Sequence, residues 1–357
     1  MTSAIAVPRF QELSEGALGV ALLHIERGDL AAARRHLAQA VAGGVSTGGN
    51  ASLFHGAPAL EFVLGRAGAP TRQVREAADK VVSARLAAAA LRRDGGALAR
   101  PAEFDLIRGL AGLGALLLAR EPAHPLLHQV LSYLVSLAQP VRSLGRELPG
   151  WWSEAGPADE EMPGGHGNLG VAHGVAGPLA VLALAARHGA EVAGQREAIE
   201  VFNGWLERHE HGYWITLDQL SARTPPGPVT ARPSWCYGQL GIARTRQVAA
   251  LALGDQARRE AAEDAALRVL ADPARLEHVT DASLCHGWAG LLAIVRAMAT
   301  DSPAPGRFTL YITHLTTRLT ATLGELPKPG FLEGRAGAQL ALEGSDTTGW
   351  TRALLIA

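Results

Sequence analysis

Ser234-Trp235-Cys236-Tyr237-Gly238 and, further on, Leu284-Cys285-His286-Gly287-Trp288 contain the only two cysteines of the chain. In both stretches one residue separates the cysteine from a glycine, and that glycine opens an Ala/Leu-rich helical run. Two thiols and an imidazole are soft and borderline donors, the set that suits a catalytic zinc with its fourth position open. Most free cysteines are small, buried and inert, and a disulfide needs an oxidising compartment, of which the sequence gives no sign. The adjacency of Cys285 to His286 and the matching glycine context of Cys236 favour the ligand role.

The glycine context recurs along the chain. Gly16-Ala17-Leu18-Gly19 is followed by Gly56-Ala57-Pro58-Ala59, where alanine replaces the second glycine, and by Gly109-Leu110-Ala111-Gly112. Gly174-Val175-Ala176-Gly177, Gly238-Gln239-Leu240-Gly241, Gly287-Trp288-Ala289-Gly290 and Gly334-Arg335-Ala336-Gly337 complete the series. Glycine accounts for 41 of 357 residues, above the roughly 7% average. It costs a helix interior about 1 kcal/mol, so these glycines belong at helix starts.

A spacing of about 40 to 65 residues leaves room for two helices and their loops per repeat. Amphipathic segments lie between the motifs: Leu30 to Val41, Ala257 to Leu270 and Phe308 to Leu323. The pattern predicts an inner helix at each glycine motif and an outer helix covering it. Seven such pairs closing on themselves make an all-α fold, an α/α toroid (a double seven-fold barrel), with residues 1–357 as one domain. Glycines at the inner ends would let seven helices converge without side chains colliding. An open solenoid is the alternative, but the repeats differ in length and in the polar residues beside their glycines, which favours one shared centre.

Two stretches interrupt the pattern and read as long loops. Leu144 to Gly167 carries Trp151-Trp152 and an acidic run at Asp159, Glu160 and Glu161; Ser221 to Pro233 is proline-rich. The tryptophans would either form a peptide-binding patch or pack their loop onto the toroid.

A net charge of -1 with no block of like charge lacks the electrostatic footprint of a nucleic-acid binder. Met1 to Arg9 has no apolar core of a secretory signal, and no run reaches the roughly 18 apolar residues of a membrane span. A cytoplasmic protein is expected.

Together these motifs resemble the lanthionine synthetase C family, the cyclases of class I lanthipeptide biosynthesis. The resemblance runs over nearly the whole chain. It includes Ser14-Glu15-Gly16-Ala17-Leu18-Gly19, Asp105-Leu106-Ile107-Arg108-Gly109, Asn168-Leu169-Gly170-Val171-Ala172-His173-Gly174 and Gly330-Phe331-Leu332-Glu333-Gly334-Arg335-Ala336-Gly337. Trp-Cys-Tyr-Gly followed by Cys-His-Gly is its most specific part. The resemblance implies Zn2+ held by Cys236, Cys285 and His286. It also implies His173 as acid/base, with Asp105, Arg232 and Tyr237 as active-site residues. The implied partners are a dehydrated precursor peptide with leader and core, a lanthipeptide dehydratase and an export transporter. A membrane-associated complex would then hold the chain peripherally. The length leaves no room for a fused dehydratase, so the likeness is to the stand-alone cyclases.

The implied reaction adds a peptide cysteine thiol to the β-carbon of dehydroalanine or dehydrobutyrine. A free thiol with a pKa of about 8.5 is mostly protonated at neutral pH, and zinc would favour the reactive thiolate. Addition leaves an enolate, for which Arg232 is the stabilising candidate, and His173 would protonate the α-carbon. Asp105 would orient His173, or else cap the helix beginning nearby; Arg232 would otherwise be a rim charge. His55 and His166 also stand beside glycines and receive no role. The main alternative is a non-catalytic relative that binds peptide or glutathione. A zinc enzyme activating another thiol on an α/α barrel, such as a prenyltransferase subunit, fits the second cysteine and the Cys-His adjacency poorly.

Overall fold

The computed structural model describes residues 10–143, 145–209, 213–221 and 232–357. Each glycine motif starts a helix whose residues are almost all apolar and small, so the helix can be buried on every side. These inner helices are Ala17–Glu26, Gly56–Arg66, Leu110–Arg120, Ala176–Arg187, Gln239–Leu253, Trp288–Asp301 and Arg335–Glu343. Each packs beside the next, and Arg335–Glu343 packs on Ala17–Glu26, so the ring closes and the open solenoid is ruled out. The outer helices are amphipathic and antiparallel to their inner partners. Gln195–Arg208, for example, buries Ala198, Ile199, Phe202 and Leu206 and turns its charges outward. Among the described residues, no helix is long and apolar enough to cross a membrane.

The seven turns leading into the inner helices share one register. The residue three before the first glycine points into the barrel: Leu13, Leu53, Leu106, Val171, Trp235, Leu284 and Phe331 are at most 2% exposed. They form an apolar floor. The residue immediately before the glycine stands above this floor, and in that position the chain carries Glu15, His55, Arg108, His173, Tyr237, His286 and Glu333.

Neighbouring turns are tied by backbone hydrogen bonds around the ring. Leu106 N donates to Ala172 O, Ala172 N to Cys236 O, and Cys236 N to Cys285 O. Cys285 N then donates to Leu332 O, Leu332 N to Ser14 O, and Leu13 N to Phe54 O.

The glycines serve a purpose beyond the one the sequence suggests. At Gly109, Gly174, Gly238, Gly287 and Gly334 a Cβ would come within 2.4 Å of the amide nitrogen four residues earlier in the same turn. At Gly112, Gly241, Gly290 and Gly337 it would fall within 2.2 Å of the carbonyl oxygen six residues back. In these turns the chain folds onto its own helix start, and glycine is required for that close approach; Gly19, whose Cβ would fall 2.3 Å from Phe331 N, also lets adjacent turns converge.

The seventh inner helix is followed by the 3-10 turn Trp350–Leu354 rather than by an outer helix. This segment packs under the apolar floor. Trp350 meets Phe331 edge-on at 5.8 Å, and Leu354 O accepts a 2.9 Å bond from Trp235 Nε1. Glu26, the last residue of the first inner helix, accepts from Thr347 N at 2.8 Å and Thr348 N at 2.9 Å, and from the Ser345 and Thr348 hydroxyls.

The stretch Leu144 to Gly167, expected as a long loop, carries three strands of two small sheets, which one strand before it and one beyond it complete. β1 (Val141–Ser143) pairs antiparallel with β2 (Arg146–Leu148), and β3 (Ser153–Ala155), β4 (Glu161–Asn168) and β5 (Trp214–Thr216) form an antiparallel sheet in that order. Four of the five are three residues long, too short for a period-two pattern to register. Trp151 and Trp152 are 3% and 0% exposed. Trp151 packs edge-on against Phe202 and Trp205, which settles the packing role over the peptide patch. Most of the proline-rich loop, residues 222–231, lies outside the described residues.

Gly290→Ala would push a methyl group against Leu284 O, at 2.1 Å, and is expected to cost at least about 2 kcal/mol in urea unfolding. Gly324→Ala, whose Cβ meets nothing within 4 Å, should stay within about 0.5 kcal/mol of the native chain.

Burial opposes the charge of Glu26, yet the hydrogen bonds from Ser345, Thr348 and the Thr347 and Thr348 amides outweigh it and hold its carboxyl at about 2. A lowered folded pKa contributes stability above the unfolded value and loses it as pH falls towards the folded one. Glu26→Gln should therefore cost about 1–2 kcal/mol at pH 7. Urea midpoints of the two proteins should converge as pH drops below about 4.5.

Candidate metal centre and its ring

Cys236 and Cys285 occupy equivalent places, two residues before the glycine in adjacent turns, and the Cys236 N to Cys285 O bond holds those turns together. Each turn is shaped by a serine two residues before its cysteine. Ser234 Oγ accepts from Tyr237 N, and Ser283 Oγ accepts from His286 N, both at 3.3 Å. Ser234 Oγ also lies 3.5 Å from Cys236 Sγ.

The donor atoms of Cys236, Cys285 and His286 lie within 4.8 Å of one another. Tetrahedral zinc, with bonds of about 2.0–2.3 Å, needs donors roughly 3.5–4 Å apart. The three residues therefore fit such an ion in number, chemistry and spacing.

The electrostatics of the cluster suit a cation. Cys236 Sγ accepts hydrogen bonds from Cys285, His286 and Ser234, which hold its thiol well below the ordinary range despite burial. Cys285 is pushed up, first by donating to Cys236 and then by burial; Glu333 adds to this and Arg232 opposes it. Asp281 Oδ2 lies 3.0 Å from His286 Nε2, leaving Nδ1 as the ring nitrogen for the thiols. Bonded to Asp281 and then to Cys236, His286 is pushed up to about 9. Asp281 is held below the carboxylate range by donation from His286 and Ser283, against the effect of burial.

Asp105 and His173 belong to the third and fourth turns. Asp105 is fully buried. Its Oδ1 accepts from Arg108 N at 2.6 Å and Gly109 N at 2.8 Å, while Oδ2 meets His173 Nδ1 at 2.6 Å. Asp105 does not cap the helix that begins at Leu110, whose N-cap is Gly109 with no side-chain bond; its carboxylate ties down the turn before that helix and orients the imidazole. With Nδ1 engaged, Nε2 of the partly exposed His173 is its remaining proton-transfer atom.

Tyr237 lies between the two groups. Its ring centroid is 6.1 Å from that of His173, and the charges of Asp105 and both cysteines act on it. Burial first, then those anions, raise its pKa well above the phenol range, so it remains a hydroxyl donor at neutral pH. Half-buried Arg232 is close enough for its charge to act on Cys285, His286 and Tyr213. Of the seven residues singled out in the sequence, Cys236, Cys285 and His286 come together, Asp105 pairs with His173, Tyr237 lies beside His173, and the charge of Arg232 reaches the thiol cluster.

Asp281, the carboxylate behind His286, is a residue that sequence reasoning missed. Its signal was positional: it stands six residues before its glycine, as Arg232 does in the preceding turn. His55 sits in the same ring, 3.1 Å from Asn50 Nδ2, and burial lowers its pKa. His166 is instead fully buried in β4 beneath Trp214.

The family described as "Lanthionine synthetase C-like protein" matches residues 8–355. The "Nisin biosynthesis protein NisC" of Lactococcus lactis subsp. lactis is 27% identical over 280 residues, 72% of this chain. That match spans 65% of the relative, slightly less than two thirds of its length. Among solved structures, "Nisin cyclase" superposes with a TM-score of 0.81 at 22% identity, over 98% of this chain and 93% of that one. At that identity the likeness speaks for the fold, an α/α toroid. With a match from residue 8 to residue 355, the chain belongs to the lanthionine synthetase C-like family.

Proposed function

We propose that the chain is a zinc-dependent lanthipeptide cyclase that closes thioether rings in a dehydrated precursor peptide. The observation that carries this reading is the placing of two chemistries in one ring. The thiol–imidazole cluster and the Asp105–His173 pair occupy consecutive turns, joined by the Ala172 N to Cys236 O bond.

Cys236, Cys285 and His286 would hold the metal, which when bound supplies a cation that favours the thiolate form of a substrate cysteine. In the reaction a carbon–sulfur bond forms at the β-carbon of a dehydro residue, its carbon–carbon π bond is lost, and the thiol proton's equivalent ends on the α-carbon. The peptide changes connectivity and keeps its mass. Because the acceptor is a dehydro residue, a dehydratase must act on the peptide first.

Arg232 brings a guanidinium to the side of the centre where the cysteines lie, and would balance the negative charge that develops on the substrate carbonyl oxygen. Tyr237 offers a hydroxyl that stays protonated at neutral pH. His173 would deliver the α-carbon proton from Nε2, since Asp105 occupies Nδ1 and fixes the ring plane. Asp105 cannot swing away, because its other oxygen is tied to two backbone amides.

Incubation with a dehydrated, leader-bearing peptide should consume its free thiols, counted by alkylation, with no change in mass. His173→Ala should slow ring closure by about 10²–10⁴-fold while leaving peptide binding intact. Peptide bound with every thiol retained by the native protein would instead assign the chain to non-catalytic peptide or glutathione binding.

A further inference from the structure

The seven turns share a second regularity beyond their glycines. In three of them the side chain six residues before the first glycine reaches the side chain immediately before it. Asn50 Nδ2 lies 3.1 Å from His55 Nε2 in the second turn. Asp281 Oδ2 lies 3.0 Å from His286 Nε2 in the sixth. Lys328 Nζ bonds Glu333 Oε2 at 2.5 Å in the seventh. An amide, a carboxylate and an ammonium make the same contact, so the shape of the turn creates it and the residue type sets its chemistry. Only in the sixth turn is the supported residue a candidate metal ligand.

Asp281 is itself held on several sides. Its Oδ1 accepts from Ser283 N at 2.7 Å, and its carbonyl accepts from Trp288 N at 3.0 Å. A Cβ on Gly287 would fall 2.3 Å from Oδ1, so the carboxylate fills the space that the glycine leaves.

We propose that Asp281 is a positioning residue for the metal centre: it accepts the Nε2 proton of His286, turns Nδ1 towards the two thiols, and makes the imidazole a stronger donor. This rests on the zinc reading above. A carboxylate can only accept from Nε2, so it enforces the tautomer in which Nδ1 is free to bind a metal. An amide in its place can donate to Nε2 instead and put the proton on Nδ1, as the Asn50 amide nitrogen facing His55 shows is sterically possible in this turn.

The test is zinc affinity, read by competition with a chromophoric chelator, on the native chain, Asp281→Asn and Asn50→Ala. Asp281→Asn should bind zinc about 10–100-fold more weakly while still unfolding in one cooperative urea transition, since its oxygen still accepts from Ser283 N. Asn50→Ala should match the native affinity. If Asp281→Asn fails to fold, Asp281→Ser keeps a short acceptor for Ser283 N without reaching the ring, and the same loss is expected of it. Native affinity in the folded Asp281 variant overturns the proposal, as does an equal loss in Asn50→Ala. A native chain that takes up no zinc overturns the zinc reading and this inference together.

Discussion

The structure depends on the backbone hydrogen bonds that pass from turn to turn around the barrel. Each joins the residues two or three places before a helix-opening glycine to the equivalent residues of the next turn. Without them the inner helices could slide along one another, because their surfaces of alanine, leucine and glycine offer few features to fix a register. With them, neighbouring turns meet at one height at six of the seven junctions, all but that between the second and third turns. The residue before each glycine is thereby lifted into a common ring, and the residue three places before it is pressed into the floor.

This arrangement explains how a fold of nearly featureless helices builds a specific site. Chemistry is confined to single positions in repeated turns, and changing one residue changes one station of the ring. Cysteine at two adjacent stations and histidine beside one of them create a cluster of three donors. Aspartate four residues before Gly109 and histidine before Gly174 create the second group. Tyr237 lies between them because its turn also carries Cys236. The apolar floor, closed from below by Trp350 and Leu354, backs the centre with low-dielectric material. There a charge-assisted bond such as Asp105–His173 counts for more than it would in water.

Much of this was legible in the sequence because the repeated turn tolerates so little variation. In six of the seven turns both glycines are kept, and most of them face backbone atoms at distances no Cβ can occupy, so the motif recurs and reveals the helix starts. The cysteines and His286 stood out by their glycine context, whereas His173, Asp105, Arg232 and Tyr237 came from the resemblance to the lanthionine synthetase C family. The full reason for the glycines could not be read there, since close approach within a turn is a property of three-dimensional folding. Asp281 was hidden for a similar reason. Its contact with His286 spans five residues of irregular backbone, where neither helical nor strand periodicity applies. The short strands were missed because three residues carry no pattern, and the burial of Trp151 and Trp152 depends on Phe202 and Trp205, far along the chain.

The central claim is that two adjacent turns of the ring present Cys236, Cys285 and His286 to a single metal ion. X-ray absorption at the zinc edge of the metal-loaded chain tests it most directly. Two sulfur neighbours at about 2.3 Å and nitrogen or oxygen neighbours near about 2.0 Å are predicted. A bound zinc with no sulfur in its first shell would place the metal elsewhere and contradict the account.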